Sequence, residues 1–161
     1  MDKTPKIHPL FIFTKMDSGD FDRDAVTQQL CIVPSETNGP CLSKGMVSCE
    51  TNIQEMSNEL SGITIIPATK SPYRLLKHAY WCFELPEESS WSVNESVQRL
   101  ESVLKEKVST ICDCCRNYNL KVDLIIRIST KPNIMPELFI SNESILFWAS
   151  IGASISFDFG L

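Results

Sequence analysis

No stretch of this 161-residue sequence approaches the roughly 18 uninterrupted apolar residues that a membrane-spanning helix requires. Near the N-terminus only Leu10 to Phe13 are continuously apolar, too short for a signal-peptide core, which needs about seven or more. Basic residues are outnumbered, 15 against 20 acidic, and the net charge is −5. That sign disfavours binding led by nucleic-acid phosphates. Glycine is scarce: the six present form neither G-x-G-x-x-G nor a Walker loop. Histidine is scarcer, with only His8 and His78, and no G-x-S-x-G accompanies them. Even the aromatic stretch "AYWCF" runs into acidic "ELPEE", the wrong charge for an RNA-reading sheet.

What remains is an ordinary globular composition, 43% apolar and 22% charged. A chain of this length is one domain, residues 1–161, able to bury about two-thirds of its unfolded surface. Cysteine is the one abundant special residue. There are seven, at 31, 41, 49, 82, 112, 114 and 115. An odd number with no export signal reads as reduced thiols in the cytoplasm.

The elements follow from spacing. "LFIFTKM" is apolar and aromatic enough for a strand. Asp22 then stands at an N-cap with Asp24 in the first turn, where carboxylates favour the positive end of the helix dipole. Phe21 and Val26 have the spacing of a hydrophobic staple, Val26 and Leu30 make one apolar face, and Pro34 ends the helix. Residues 46–72 form a variable excursion, with a short helix expected around Ile53, Met56 and Leu60. In "HAYWCFEL", Ala79, Trp81, Phe83 and Leu85 alternate against His78, Tyr80, Cys82 and Glu84, which is a strand over residues 77–85. One long amphipathic helix follows. Ser92 and Glu95 make its capping box, and Val97, Leu100, Leu104, Val108, Ile111 and Cys115 its buried stripe. Leu120, Val122, Leu124, Ile126 and Ile128 alternate as another strand. "ELFIS" reads as a short edge strand. A helix capped by Asn142 and closed by Gly152 comes next, and then a last strand with Ile155, Phe157 and Phe159 on one face. The expected fold is α+β: a mainly antiparallel sheet with helices on one face, a ferredoxin-like split arrangement being one candidate.

The alternation Asp20, Asp22, Asp24 invites a calcium loop. Counting from Asp20, however, positions six and twelve hold Ala25 and Cys31, where the loop needs glycine and a bidentate glutamate. A capped helix explains the same letters. Cys112, Cys114 and Cys115 lack the second pair that zinc requires. They also lie at a helix C-terminus, where the dipole does not favour a reactive thiolate. Neither metal nor cofactor is expected.

"SGDFDRDAVTQQLCIVPSET", "YWCFEL", "VDLIIRIS" and "ELFISNESILFWASIGASISFDF" together resemble the bacterial domain-of-unknown-function family 4279. The resemblance is carried by an aspartate-bearing helix entry at residues 19–26, with Gly19-Asp20 and then Asp24, an L-x-I-x-P turn at 30–34 and a closing helix and strand at 146–159. It implies no catalytic residues. It does imply a context: small acidic stand-alone domains of this kind are often encoded beside secreted toxins as their immunity proteins. The expectation is therefore a non-enzymatic, cytoplasmic immunity protein. It would occlude a basic, nuclease-like toxin domain delivered by contact between bacteria, with no nucleic-acid or membrane partner. The partner-binding residues would be Asp17, Asp20, Glu50, Glu55 and Glu59, with Asp22 and Asp24 committed to the helix. The alternatives are a small ligand-binding protein or enzyme with a pocket over the sheet, and a zinc-dependent structural or redox module.

Overall fold

The structure, a computed structural model, describes residues 4–38 and 78–160. Strand β1 (Lys6–Lys15) leads into helix α1 (Arg23–Leu30) and a three-residue strand β2 (Glu36–Asn38). The chain then gives β3 (Tyr80–Glu84), β4 (Glu88–Ser89), α2 (Val93–Leu104), a 3-10 turn (Lys105–Lys107) and α3 (Val108–Tyr118). It closes with β5 (Leu120–Ser129), α4 (Asn142–Ser150) and β6 (Ser154–Gly160).

The strands form one sheet in the order β2-β3-β1-β5-β6, antiparallel except for the β5–β6 pair. β1 and β2 are both antiparallel to β3, so they run parallel with β3 between them. By the same logic β3 and β5 run parallel with β1 between them. Two interleaved split β-α-β units result, which is the ferredoxin-like arrangement. Helix α4 then returns the chain to add β6 as a parallel strand outside β5. β4 resumes the line of β3 along β1. Leu10 faces Glu84 whereas Ile7 faces Glu88. Three steps on β1 thus match four on its neighbour, a bulge at residues 85–87 where Pro86 has no N–H to offer.

The helices cover one face of the sheet. Ile7, Phe11 and Phe13 of β1, Trp81 of β3 and the alternate residues Val122 to Ile128 of β5 point into it. They meet Val97, Leu100, Leu104, Ile111 and Trp148 from the helices. Phe11 sits at the centre, its ring centroid 4.9 Å from Phe13, 6.2 Å from Trp81 and 6.3 Å from Trp148. Full burial of each such ring contributes roughly 2–3 kcal/mol. On the opposite face Leu10, Ile12, Tyr80 and Cys82 form a second, smaller buried cluster.

Several boundaries differ from those read in the sequence. The expected single helix is two: Lys107 leaves helical geometry at φ −113°, ψ 9°. All three residues of the 3-10 turn are charged and none is buried, so the backbone can tighten there without losing a core contact. The tightening rotates the second half, and Cys114 rather than Cys115 becomes buried. "ELFIS" makes only an isolated bridge, Glu137 with Ser92. Ser141, not Asn142, caps α4, because its hydroxyl accepts the Ser144 N–H at 3.2 Å. The helix expected around Ile53 to Leu60 lies outside the described residues.

Candidate partner-binding surface

Residues 15–24 join β1 to α1 at the end of the sheet where β5 begins. The chain is pinned there by backbone bonds, Lys15 N–H to Ala79 O at 2.9 Å and Met16 N–H to Asn119 O at 3.0 Å. Asn119 accepts the left-handed conformation (φ 53°) that stops α3, which brings its backbone and side chain to the turn. The Lys15 ammonium donates to Tyr118 O, satisfying a carbonyl left open at that helix C-terminus.

Asp17 is held by its own neighbourhood. Oδ1 accepts the Gly19 N–H at 2.8 Å, Oδ2 accepts the Asn119 amide at 3.1 Å, and Lys15 Nζ lies 3.5 Å away. Those hydrogen bonds, the Gly19 N–H foremost and then Asn119, keep its carboxyl below the usual aspartate range. Its carbonyl accepts from His78 Nδ1 at 2.9 Å, which ties the start of β3 to the turn. A Cβ at Gly19 would stand 2.7 Å from Asp17 Oδ1, so glycine lets the carboxylate keep this position.

Asp20 is equally fixed. It accepts the Phe21 N–H at 2.8 Å and both terminal nitrogens of Arg23. Burial works against its charge, but the Arg23 and Phe21 hydrogen bonds outweigh burial and its carboxyl also titrates low. The guanidinium lies 5.6 Å from the Phe21 ring centroid, so one arginine serves both a carboxylate and an aromatic face. Asp22 accepts the Ala25 N–H at 2.8 Å as the N-cap, and Phe21 and Val26 are both buried, as a staple requires. Asp24 stays exposed in the first turn. Four carboxylates and two cations, Lys15 and Arg23, therefore share residues 15–24, leaving two negative charges at this end of the sheet. Met16 is exposed among them.

The structure thus brings Asp17 and Asp20 together on one turn. Glu50, Glu55 and Glu59 lie outside the described residues. The chain that carries them leaves β2 at Asn38 and re-enters the described fold at His78. Asn38 pairs with Tyr80, which also faces Thr14. Both ends of that segment are therefore rooted beside the acidic turn.

Other ionisable side chains pair within the chain. Across the sheet face away from the helices, His8 Nε2 lies 3.4 Å from Glu84, and Arg127 donates to Asp158 at 3.2 Å. Burial lifts the Cys114 thiol above its usual range, and burial with the neighbouring thiols pushes Cys115 up to about 11. A thiolate nucleophile is disfavoured at both. Among the described residues no three His, Cys, Asp or Glu side chains converge as a metal site would require, and no helix is long and apolar enough to cross a membrane.

Sequence reasoning missed a set of exposed apolar side chains. Trp91 is 53% exposed, and Met135, Leu138, Phe139, Ile145, Leu146, Phe157 and Phe159 are exposed as well. Alternation put Phe157 and Phe159 on one face of the last strand but could not say whether that face is covered. The signal that could have shown this is position: the last strand of a sheet built by a parallel crossover tends to be an edge.

The chain matches the family described as Domain of unknown function (DUF4279) over residues 50–160. That range is more than half of the sequence. The chain belongs to this family. The matched range holds β3 to β6 with α2, α3 and α4, whereas β1, α1 and the acidic turn precede it. Of the motifs that carried the resemblance, the closing helix and strand fall inside the match and the aspartate helix entry falls outside. No curated protein and no solved structure matches the chain.

Proposed function

We propose that this DUF4279 protein is a binding protein that neutralises a toxin domain by covering a basic active-site cleft. The observation that supports this reading is the turn at residues 15–24. The Asp17 and Asp20 carboxylates there are exposed, titrate low, and are fixed by contacts within the chain. Such pre-organisation lowers the ordering cost of binding. Two net negative charges on one end of the sheet favour encounter with a basic partner and reject an acidic one. Met16 adds an unbranched, adaptable apolar contact in their midst. Asp17 and Asp20 are the residues assigned this role. Arg23 and Lys15 reduce the local charge, so the turn contributes chiefly to association rate, with affinity supplied by the apolar contacts around it.

The test is protection. A toxin-like reading frame is expected beside this gene; cells expressing its product should survive when this chain is co-expressed, and the two proteins should co-purify. The double variant Asp17→Asn with Asp20→Asn retains an acceptor oxygen at each site but removes both charges. It should fold normally and protect less well. Survival unaffected by the presence of the chain, or no complex with that product, would remove the immunity reading.

A further inference from the structure

Along the edge of the sheet beyond β5, the fold leaves a strand open. β6 is last in the strand order and seven residues long, and it contains neither lysine nor proline. Those residues, short length and projecting charge are the usual guards of an edge strand. Its one charge, Asp158, is engaged by Arg127 at 3.2 Å. The face that β6 turns toward the helices carries Ile155, Phe157 and Phe159, in register with buried Leu124, Ile126 and Ile128 of β5. Phe157 and Phe159 nevertheless remain 39% and 41% exposed, stacked on each other with centroids 6.3 Å apart. The β5 partners are buried because strands stand on both sides of them. The two phenylalanines are not, because nothing described lies beyond β6.

We propose that β6 pairs antiparallel with β6 of a second copy of this chain, about a two-fold axis at Phe157. The sequence of the strand is self-complementary about that point. With Phe157 opposite its own copy, Ile155 meets Phe159 on the helix-side face, apolar against apolar. On the other face Ser156 meets Asp158, so a hydroxyl faces a carboxylate and the two aspartates are kept apart. Ser154 meets Gly160. The axis stands perpendicular to the sheet, so both copies keep their helices on one side and the five-strand path continues into ten. A two-fold interface needs this self-complementarity, since each residue meets the image of its partner. A shift of the axis to Asp158 would set like charges directly opposite, which cross-strand pairing disfavours. The proposal concerns the β6 edge, two strands out from β1, and does not depend on what the acidic turn binds.

Sedimentation velocity of the purified full chain from about 1 to about 200 µM tests it, because a two-fold dimer must obey mass action. The expected result is a species of twice 18.2 kDa that dissociates on dilution. Phe157→Lys should abolish it. Ser156 is exposed, so substitutions there spare the fold and report on register. Ser156→Asp, set against Asp158 of the second copy, should weaken the dimer by about tenfold, whereas Ser156→Lys should keep or tighten it. A monomer throughout the range overturns the proposal. So does a dimer indifferent to Phe157→Lys, or one that Ser156→Asp and Ser156→Lys affect alike. A monomer that seats a different protein's strand on β6 overturns it too.

Discussion

Replacing Glu101 by alanine should unlatch α4 from α2. The carboxylate stands between the two helices, where Oε1 accepts the Trp148 indole N–H at 2.8 Å and Oε2 accepts the Ser144 hydroxyl at 3.1 Å. Both donors belong to buried residues, so in the fold each relies on this carboxylate as its acceptor. A buried donor left unsatisfied costs about 1–3 kcal/mol. The indole N–H is rigid and bears the full penalty, while the hydroxyl can rotate and bears less. Together they put Glu101→Ala at roughly 2–4 kcal/mol of lost stability. Glu101→Gln keeps an acceptor for the indole and should cost about 1 kcal/mol or less.

The pH dependence follows from the same site. Burial outweighs the two hydrogen bonds and raises the Glu101 pKa above the usual glutamate range. The folded protein therefore binds that proton more tightly than the unfolded chain. The resulting stabilisation is complete below the ordinary glutamate pKa and is lost as pH rises through the elevated one. Urea unfolding of wild type and Glu101→Gln, followed by tryptophan fluorescence across a pH series, isolates it. The stability difference, wild type minus variant, should fall as pH rises. Glu101→Ala within about 0.5 kcal/mol of wild type, or a difference that grows with pH, would refute the latch.

Other expectations are quicker to check. Asp22→Ala removes the N-cap of α1 and should cost about 0.5–2 kcal/mol in urea unfolding, with calcium leaving the wild-type melting temperature unchanged. Asp17 and Asp20 titrate low in the fold, so their stabilisation is present above the ordinary aspartate pKa and lost as pH falls through the lowered values. The double Asn variant should accordingly lose less stability on acidification than wild type. Gly19→Ala should displace the Asp17 carboxylate and raise its pKa toward the ordinary value, a change readable by carboxyl NMR titration. In the native protein Cys31, which is exposed, should react with a thiol reagent ahead of Cys114 and Cys115; in denaturant all seven cysteines should titrate.

The periodic elements were legible because burial imposes their period. β5 alternates from Leu120 to Ile128 as read, since one face packs on helices and the other does not. Asp22 and Ser92 were legible as caps because a short oxygen-bearing side chain before an apolar stripe has few other uses. The break at Lys107 was not, because the apolar spacing of Leu104, Val108 and Ile111 continues across it unchanged. β2 was not legible, since its three residues, Glu36 to Asn38, carry no apolar alternation. In the candidate site, the sequence placed Asp17 and Asp20 on one acidic turn. Asp17's partners Asn119 and His78 lie 102 and 61 residues away, and nothing local announces them. Exposure of Phe157 and Phe159 was likewise hidden: alternation says which residues share a face, and only topology says whether another strand covers it.

The central claim, that the acidic turn steers this chain onto a basic toxin domain, is tested most directly by association kinetics with the neighbouring gene product at low and high salt. Opposite-charge steering predicts a wild-type on-rate that falls several-fold between about 20 and about 300 mM salt, as screening shortens the reach of the turn. The variant carrying Asp17→Asn and Asp20→Asn should start lower and fall less steeply. Equal rates for the two proteins at low salt, with the same salt slope, would contradict it.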